Sequence, residues 1–218
     1  MQQINFHTHQ IKGDENIQIL NVFAQDLPGF EPKSLFSAGL HPWHVGKVNP
    51  EECIRAIEQA THQKNMLAIG ECGLDRSIST DFALQKLFFG KQIQLAEKHS
   101  KPLIIHCVRA YSDLLELKKE TKSEVPWIIH GFGGNLETTL SLIRHGLYFS
   151  VGEFLLKNEA RHPVFRNIPL ERLFLETDDS EISIGEIYLS AAQILKMDTQ
   201  LLNEAIFSNF RTIFGNGK

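Results

Sequence analysis

From about residue 66 onward, short apolar runs alternate with amphipathic stretches, the pattern of successive βα units around a parallel sheet. Residues 66–73, 102–107, 126–132, 147–152 and 172–177 read as strands. Runs such as Leu103-Ile104-Ile105, Trp127-Ile128-Ile129 and Leu173-Phe174-Leu175 have no polar alternation, which suits strands buried on both faces. Between them, Thr80 is the expected N-cap of a long helix carrying Phe82, Leu87, Ile93 and Leu95. Asn135 opens another helix that closes at Gly146. Asn49-Pro50-Glu51-Glu52 is a further helix start, with proline in the first helical position and acids at the positive end of the dipole. Ile184–Leu195 and Thr199–Phe214 read as closing helices.

Residues 3–9, 16–23 and 34–41 read as three more strands, but the intervals between them are too short or too rich in proline and glycine for helices. Eight strands with a depleted set of outer helices predict an α/β fold of the trimmed (β/α)8 TIM-barrel type, with the outer helices reduced around the first three strands. A single domain spanning residues 1–218 is expected. The final helices are expected to cover the bare flank of the first three strands through Ile194, Leu195, Ile206, Phe207, Phe210 and Phe214.

Composition narrows the classes. With 42% hydrophobic and 22% charged residues the chain is an ordinary globular protein. No apolar run approaches a membrane span, and the first residues, Met-Gln-Gln-Ile-Asn, show no secretory signal. Cys53, Cys72 and Cys107 cannot all pair, so a cytoplasmic protein with reduced, buried thiols is expected. A net charge of −4 gives no global basic field for nucleic acid, though a local metal charge can still attract a phosphate.

The positions of the ten histidines change the picture. In a barrel, chemistry collects at the carboxyl ends of the strands. The first predicted strand ends in His7-Thr8-His9, the third in Gly39-Leu40-His41 and the fourth in Gly70-Glu71. The fifth ends in His106, the sixth in His130 and the eighth in Glu176-Thr177-Asp178. His-x-His places two imidazoles on one side of a strand. Any one of these alone reads more simply as a satisfied core histidine or a solvated acid, but together they read as a metal site. Mixed imidazole and carboxylate donors suit Zn²⁺ or Mn²⁺ better than Mg²⁺. Six ligands exceed what one catalytic Zn²⁺ takes, so two divalent ions are expected. A pair about 3.5–4 Å apart can hold a hydroxide and clamp the attacking and leaving oxygens of a displacement.

The series Phe6-His-Thr-His9, Gly39-Leu-His-Pro-Trp-His44, Ile69-Gly-Glu-Cys-Gly-Leu-Asp75, Ile104-Ile-His-Cys-Val-Arg-Ala110, Ile129-His-Gly-Phe-Gly-Gly134 and Leu175-Glu-Thr-Asp178 resembles the TatD-like metal-dependent hydrolases, the TatD-type DNases of the amidohydrolase superfamily. The resemblance implies that His7, His9 and Asp178 hold one metal, that His106 and His130 hold the second, and that Glu71 bridges both. It makes Asp178, with Glu71, catalytic, as the group that orients the water and accepts its proton. It also implies that Arg109 grips a substrate phosphate, beside His41 and His44. The activity it implies is a phosphodiesterase or deoxyribonuclease of the exonuclease type, acting on DNA ends, short oligonucleotides or a small phosphoester without an obligate protein partner. An amidohydrolase cleaving a small amide or ester, and a non-catalytic metal-binding protein, are the alternatives.

The chain departs from the family pattern twice. It has His41-Pro42-Trp43-His44 where the family usually has His-Pro-His. After Asp178, the family's long loop is replaced by Asp179-Ser180-Glu181 leading almost directly to a helix. His62, His99 and His145 suit helix C-terminal positions, His162 is expected in a loop without partners, and Phe132 and Phe154 are placed to line a cleft.

Overall fold

The computed structural model describes residues 2–13, 16–31 and 33–215. Strands β1 (Ile4–Thr8), β2 (Ile17–Phe23), β3 (Leu35–Gly39), β4 (Met66–Asp75), β5 (Leu103–Val108), β6 (Trp127–Ile129), β7 (Tyr148–Val151) and β8 (Leu173–Leu175) follow one another in that order in one sheet. This is the strand order of a (β/α)8 barrel. The ends of the order meet, because Thr8 in β1 forms a parallel bridge with Asp178 just beyond β8.

Helices α1 (Pro50–Ala60), α2 (Phe82–His99), α3 (Tyr111–Thr121) and α4 (Leu136–Arg144) follow β3, β4, β5 and β6 in turn. The short helices α5 (Glu153–Lys157) and α6 (His162–Arg166) lie between β7 and β8, and α7 (Ile184–Leu195) and α8 (Thr199–Phe214) follow β8. Among the described residues no α-helix separates β1 from β2 or β2 from β3; only a 3₁₀ turn, Ala24–Asp26, follows β2. The shortened first third is therefore as its spacing implied. Among the described residues no helix is long and apolar enough to cross a membrane.

Local chemistry sets the helix ends. Asn49 and Asn135 accept hydrogen bonds from the backbone N–H groups of Glu52 and Thr138, each cap contributing about 1 kcal/mol. Ser183 and Glu186 form a reciprocal capping box at the start of α7. The N-cap of α2 is Asp81, whose carboxylate accepts from Leu84 N, and not Thr80. The Thr80 carbonyl instead accepts from the Gln85 side chain. His162 is also not a free loop residue: it is the first residue of α6, and its Nε2 lies 2.8 Å from the Leu156 carbonyl oxygen.

The chain divides into two units, one formed by residues 20–128 and the other by residues 1–19 with 129–218. In the first, α1 presents Cys53, Ile57 and Ala60 at helical spacing and buries them beside β3. The Phe89 ring of α2 meets Trp127 edge-on, 5.6 Å between centroids. In the second unit Phe6 and Phe174 stack at 4.2 Å. The buried Tyr188 hydroxyl of α7 donates to the Ile4 carbonyl and accepts from the Ile4 N–H, tying the helix to β1. Helices α7 and α8 lie on β1 and β8 of this unit. Their expected place along the first three strands is thus corrected to that pair, with Ile194 and Ile206 buried and Leu195, Phe207, Phe210 and Phe214 half-buried. Cys53, Cys72 and Cys107 are all free and buried.

Candidate metal centre

In the unit of residues 1–19 and 129–218, strand alternation turns His7 and His9 to one side. Backbone hydrogen bonds from Asp178 N to His7 O and from His9 N to Asp178 O fix Asp178 beside them. His7 Nε2 and His9 Nε2 lie 3.5 and 3.3 Å from the same oxygen, Asp178 Oδ1. His7 is buried, whereas His9 and Asp178 are part-exposed, so the cluster is open on one side. Burial pushes the Asp178 carboxyl up. Hydrogen bonds from His7 and His9, with the charge of His7 and His130, outweigh that and hold it far below the usual carboxylate range. Asp178 has φ +54°, a left-handed conformation that aspartate tolerates better than most residues. Asn5 secures the approach: its amide donates to Thr177 Oγ1 and its carbonyl accepts from Thr177 N.

The ring of His130 lies 4.4 Å from that of His7, with its Nδ1 3.8 Å from Glu176 Oε1. Glu176 is fully buried and accepts from Gly131 N. Beside Asp178 is a cavity of about 710 Å³ lined by Phe132, Phe154, Glu153, Glu159, Asp179 and Lys157 among others. Phe132 is part of the core, while Phe154 is 63% exposed at the rim.

In the unit of residues 20–128, Glu71 lies within β4 and not at its end, since the strand runs on to Asp75. The pairing with β5 jumps from Ile69↔Leu103 to Cys72↔Ile105, so Gly70 and Glu71 bulge opposite Ile104. Gly70 is required there: it has φ +154°, and a Cβ would meet the Ile104 carbonyl oxygen at 2.3 Å. Asn21 of β2 grips the bulged residue, accepting from Glu71 N at 2.9 Å and donating to Glu71 Oε2 at 3.4 Å. His41 Nε2 and His106 Nδ1 approach Glu71 Oε1 at 3.2 and 3.4 Å. His41 Nδ1 accepts a hydrogen bond from Trp43 N, so the neutral ring carries its hydrogen on Nε2 and donates to Glu71. His41 lies close enough to be a ligand, but in this tautomer it offers a donor in place of a lone pair.

The opposite side of His106, Nε2, faces Asp75 Oδ2 at 3.0 Å. Asp75 is buried, which raises its pKa, yet hydrogen bonds from Ser77, Trp43 and His106 hold it down to about 2. His44 is half-buried, its Nδ1 3.0 Å from Gln25 Nε2 and its ring edge-on to Phe23. Burial is the main cause that lowers its pKa, with Lys47 adding to it. Arg109 is exposed just beyond β5, at φ +54°, and hydrogen bonds to none of these residues. Each unit therefore gathers two histidines on one carboxylate: His7 and His9 on Asp178, His41 and His106 on Glu71. The chemistry of that donor set fits divalent cations. Sequence reasoning missed Asn5, Asn21 and Asp75. The first two were visible only as polar residues among others in β1 and β2, and Asp75 as the last residue of Ile69-Gly-Glu-Cys-Gly-Leu-Asp75.

Residues 6–215 match the family model of the TatD-related DNases. The chain belongs to that family. It is 33% identical over 205 residues to an uncharacterized metal-dependent hydrolase of Buchnera aphidicola, covering 82% of this chain and 76% of the relative. It is 32% identical to a 3′-5′ ssDNA/RNA exonuclease TatD of Edwardsiella piscicida, covering 75% of this chain and 63% of the relative. Among solved structures, the TatD homologue YjjV of Escherichia coli superposes with a TM-score of 0.79 at 21% identity, over 90% of this chain and 85% of the other, which establishes the fold. As a family member the chain is a metal-dependent hydrolase, and its buried histidine–carboxylate clusters suit metal binding.

Proposed function

We propose that the chain is a phosphodiesterase that removes nucleotides from the ends of DNA, using two divalent ions held by His7, His9, Glu71, His106, His130 and Asp178. Residues 1–218 serve as one hydrolase domain, in the cytoplasm, with Zn²⁺ or Mn²⁺ preferred to Mg²⁺ by the nitrogen-rich donors. The observation that carries the reading is the convergence of His7 Nε2 and His9 Nε2 on one oxygen of Asp178, an arrangement open to solvent on one side. Bound divalent ions supply Lewis acidity toward the phosphoryl oxygens and acidify an attacking water. Asp178 orients that water and takes its proton. His41, through its bond to Glu71, and His44 stand on the substrate side of the site, and the guanidinium of Arg109 grips a phosphate oxygen pair.

The ligand assignment predicts that Glu71→Gln lowers both metal content and turnover, since a neutral amide serves two cations poorly. Elemental analysis of metal-replete protein checks this; one ion per chain together with a fully active Glu71→Gln variant contradicts the assignment.

The acidic lining of the cavity beside Asp178 favours a second reading, a hydrolase of a small amide or ester, because Glu153, Glu159 and Asp179 outnumber Lys157 there. Assaying 3′-labelled single-stranded DNA beside a panel of phosphodiesters and amides separates the two. On the nucleolytic reading few phosphates are engaged, so log affinity for single strands falls with log salt by about 0.7 per contact, a total slope of roughly −2 or shallower. Terminal nucleotides and short oligonucleotides then serve nearly as well as long DNA. A slope equivalent to six or more phosphates means a basic track along the surface and contradicts this reading.

A further inference from the structure

The geometry points to Asp75 as the positioning residue that sets the tautomer of His106, with Trp43 holding Asp75 in place; this rests on the reading of His106 as a metal ligand. The two oxygens of Asp75 are divided between tasks. Oδ1 accepts from the backbone N–H and the hydroxyl of Ser77, closing the turn after β4. Oδ2 accepts from the indole Nε1 of Trp43 at 2.9 Å and faces His106 Nε2 at 3.0 Å.

An ionised carboxylate only accepts hydrogen bonds. Both oxygens of Asp75 already accept hydrogen bonds, from Ser77 and from Trp43, so the hydrogen between Asp75 and His106 belongs to Nε2. A neutral His106 then has its lone pair on Nδ1, the atom lying 3.4 Å from Glu71 Oε1. The imidazole is thus presented with the correct atom bare on the side where the carboxylate ligand stands. Carboxylate–imidazole pairs of this kind fix ring orientation and raise ligand basicity. Asp75 is 2% exposed, so water does not compete for the bond. Trp43 stands where the family usually has the second histidine of His-Pro-His, and its indole supplies the donor that pins Oδ2.

Asp75→Asn inverts this arrangement without removing the turn. With the amide oxygen kept on the Ser77 N–H and hydroxyl, the NH₂ group faces His106 and the Trp43 hydrogen bond is lost. A donor there drives the imidazole hydrogen onto Nδ1, removing the lone pair offered beside Glu71. The test is ¹⁵N NMR of the histidine side chains in metal-free protein, at a pH where His106 is neutral, combined with Zn²⁺ titration. Wild-type protein is expected to show His106 with hydrogen on Nε2, and Asp75→Asn to show it on Nδ1. The variant should bind one of its Zn²⁺ ions about 10- to 100-fold more weakly. Trp43→Phe, which leaves the carboxylate in place, should shift the affinity in the same direction by a smaller factor. A wild-type His106 with hydrogen on Nδ1 overturns the proposal without any variant. So does an unchanged tautomer and affinity in Asp75→Asn while His106→Ala loses the ion. If His106→Ala keeps its full metal content, it is the ligand assignment of His106 that fails, and the proposal falls with it.

Discussion

Replacing Asp178 with asparagine is expected to reduce turnover by about 10³- to 10⁴-fold, with a much smaller effect on substrate affinity. Two functions fail together. A general base in contact with the reacting water contributes about 10²- to 10⁴-fold, and an amide cannot accept that proton. The same oxygen is the one on which His7 and His9 converge, so the charge that completes the cluster is lost as well. The backbone is not the cause, because asparagine adopts the φ of +54° at this position as readily as aspartate. Steady-state kinetics with saturating metal check it. A loss confined to KM, or turnover near the wild-type value, removes Asp178 from the chemical step.

Truncation after Lys196 is expected to give insoluble or molten protein. The cut removes α8, with Leu202 and Ile206 both fully buried. Burial of each such side chain is worth about 1.5–3 kcal/mol. The cut also removes two polar ties. Asn209 donates to the carbonyls of Leu170 and Leu173, and Asn203 donates to that of Gln2. These carbonyls lose their asparagine donors, and the Phe214 ring, 6.2 Å from that of Phe6, goes with the helix. The combined loss is on the order of 5 kcal/mol or more, comparable with the whole stability of an average domain. Dye binding and loss of near-ultraviolet dichroism should accompany it. A fragment that unfolds cooperatively at an ordinary temperature contradicts this account.

Strands and long helices were legible because their signals are local. Uninterrupted apolar runs mark the buried strands, and Asn49 and Asn135 mark helix starts with their own side chains. Thr80 and Asp81 are adjacent residues that can both cap, and only the hydrogen bond to Leu84 N decides between them. What sequence could not reveal depends on a partner far along the chain. The bulge that aims Glu71 is defined by Ile104, and the grip on it by Asn21. The histidines and acids that the structure gathers into clusters stand out in the sequence by residue type and spacing. Which nitrogen of His41 or His106 is bare was not, because Trp43 N and Asp75 Oδ2 decide it. The phosphate role of Arg109 came from the family resemblance, and the residue stands exposed just beyond β5.

The hydrogen bond from Thr8 to Asp178 spans 170 residues of chain, and this has a consequence for synthesis. Residues 20–128 form a contiguous unit whose contacts can all be made while the rest is still being translated. His7 and His9 precede that unit in the chain and Asp178 follows it, so the imidazole pair waits for all of residues 20–128 before Asp178 joins them. Closing so long a loop costs more entropy than closing a short one, though only logarithmically, and prior folding of the intervening segment brings its ends together at less cost. The order of assembly is therefore the reverse of what position suggests. The imidazole pair is made before that unit and completed after it, so a ribosome-bound chain that ends ahead of Asp178 carries these two donors without the acid that completes them.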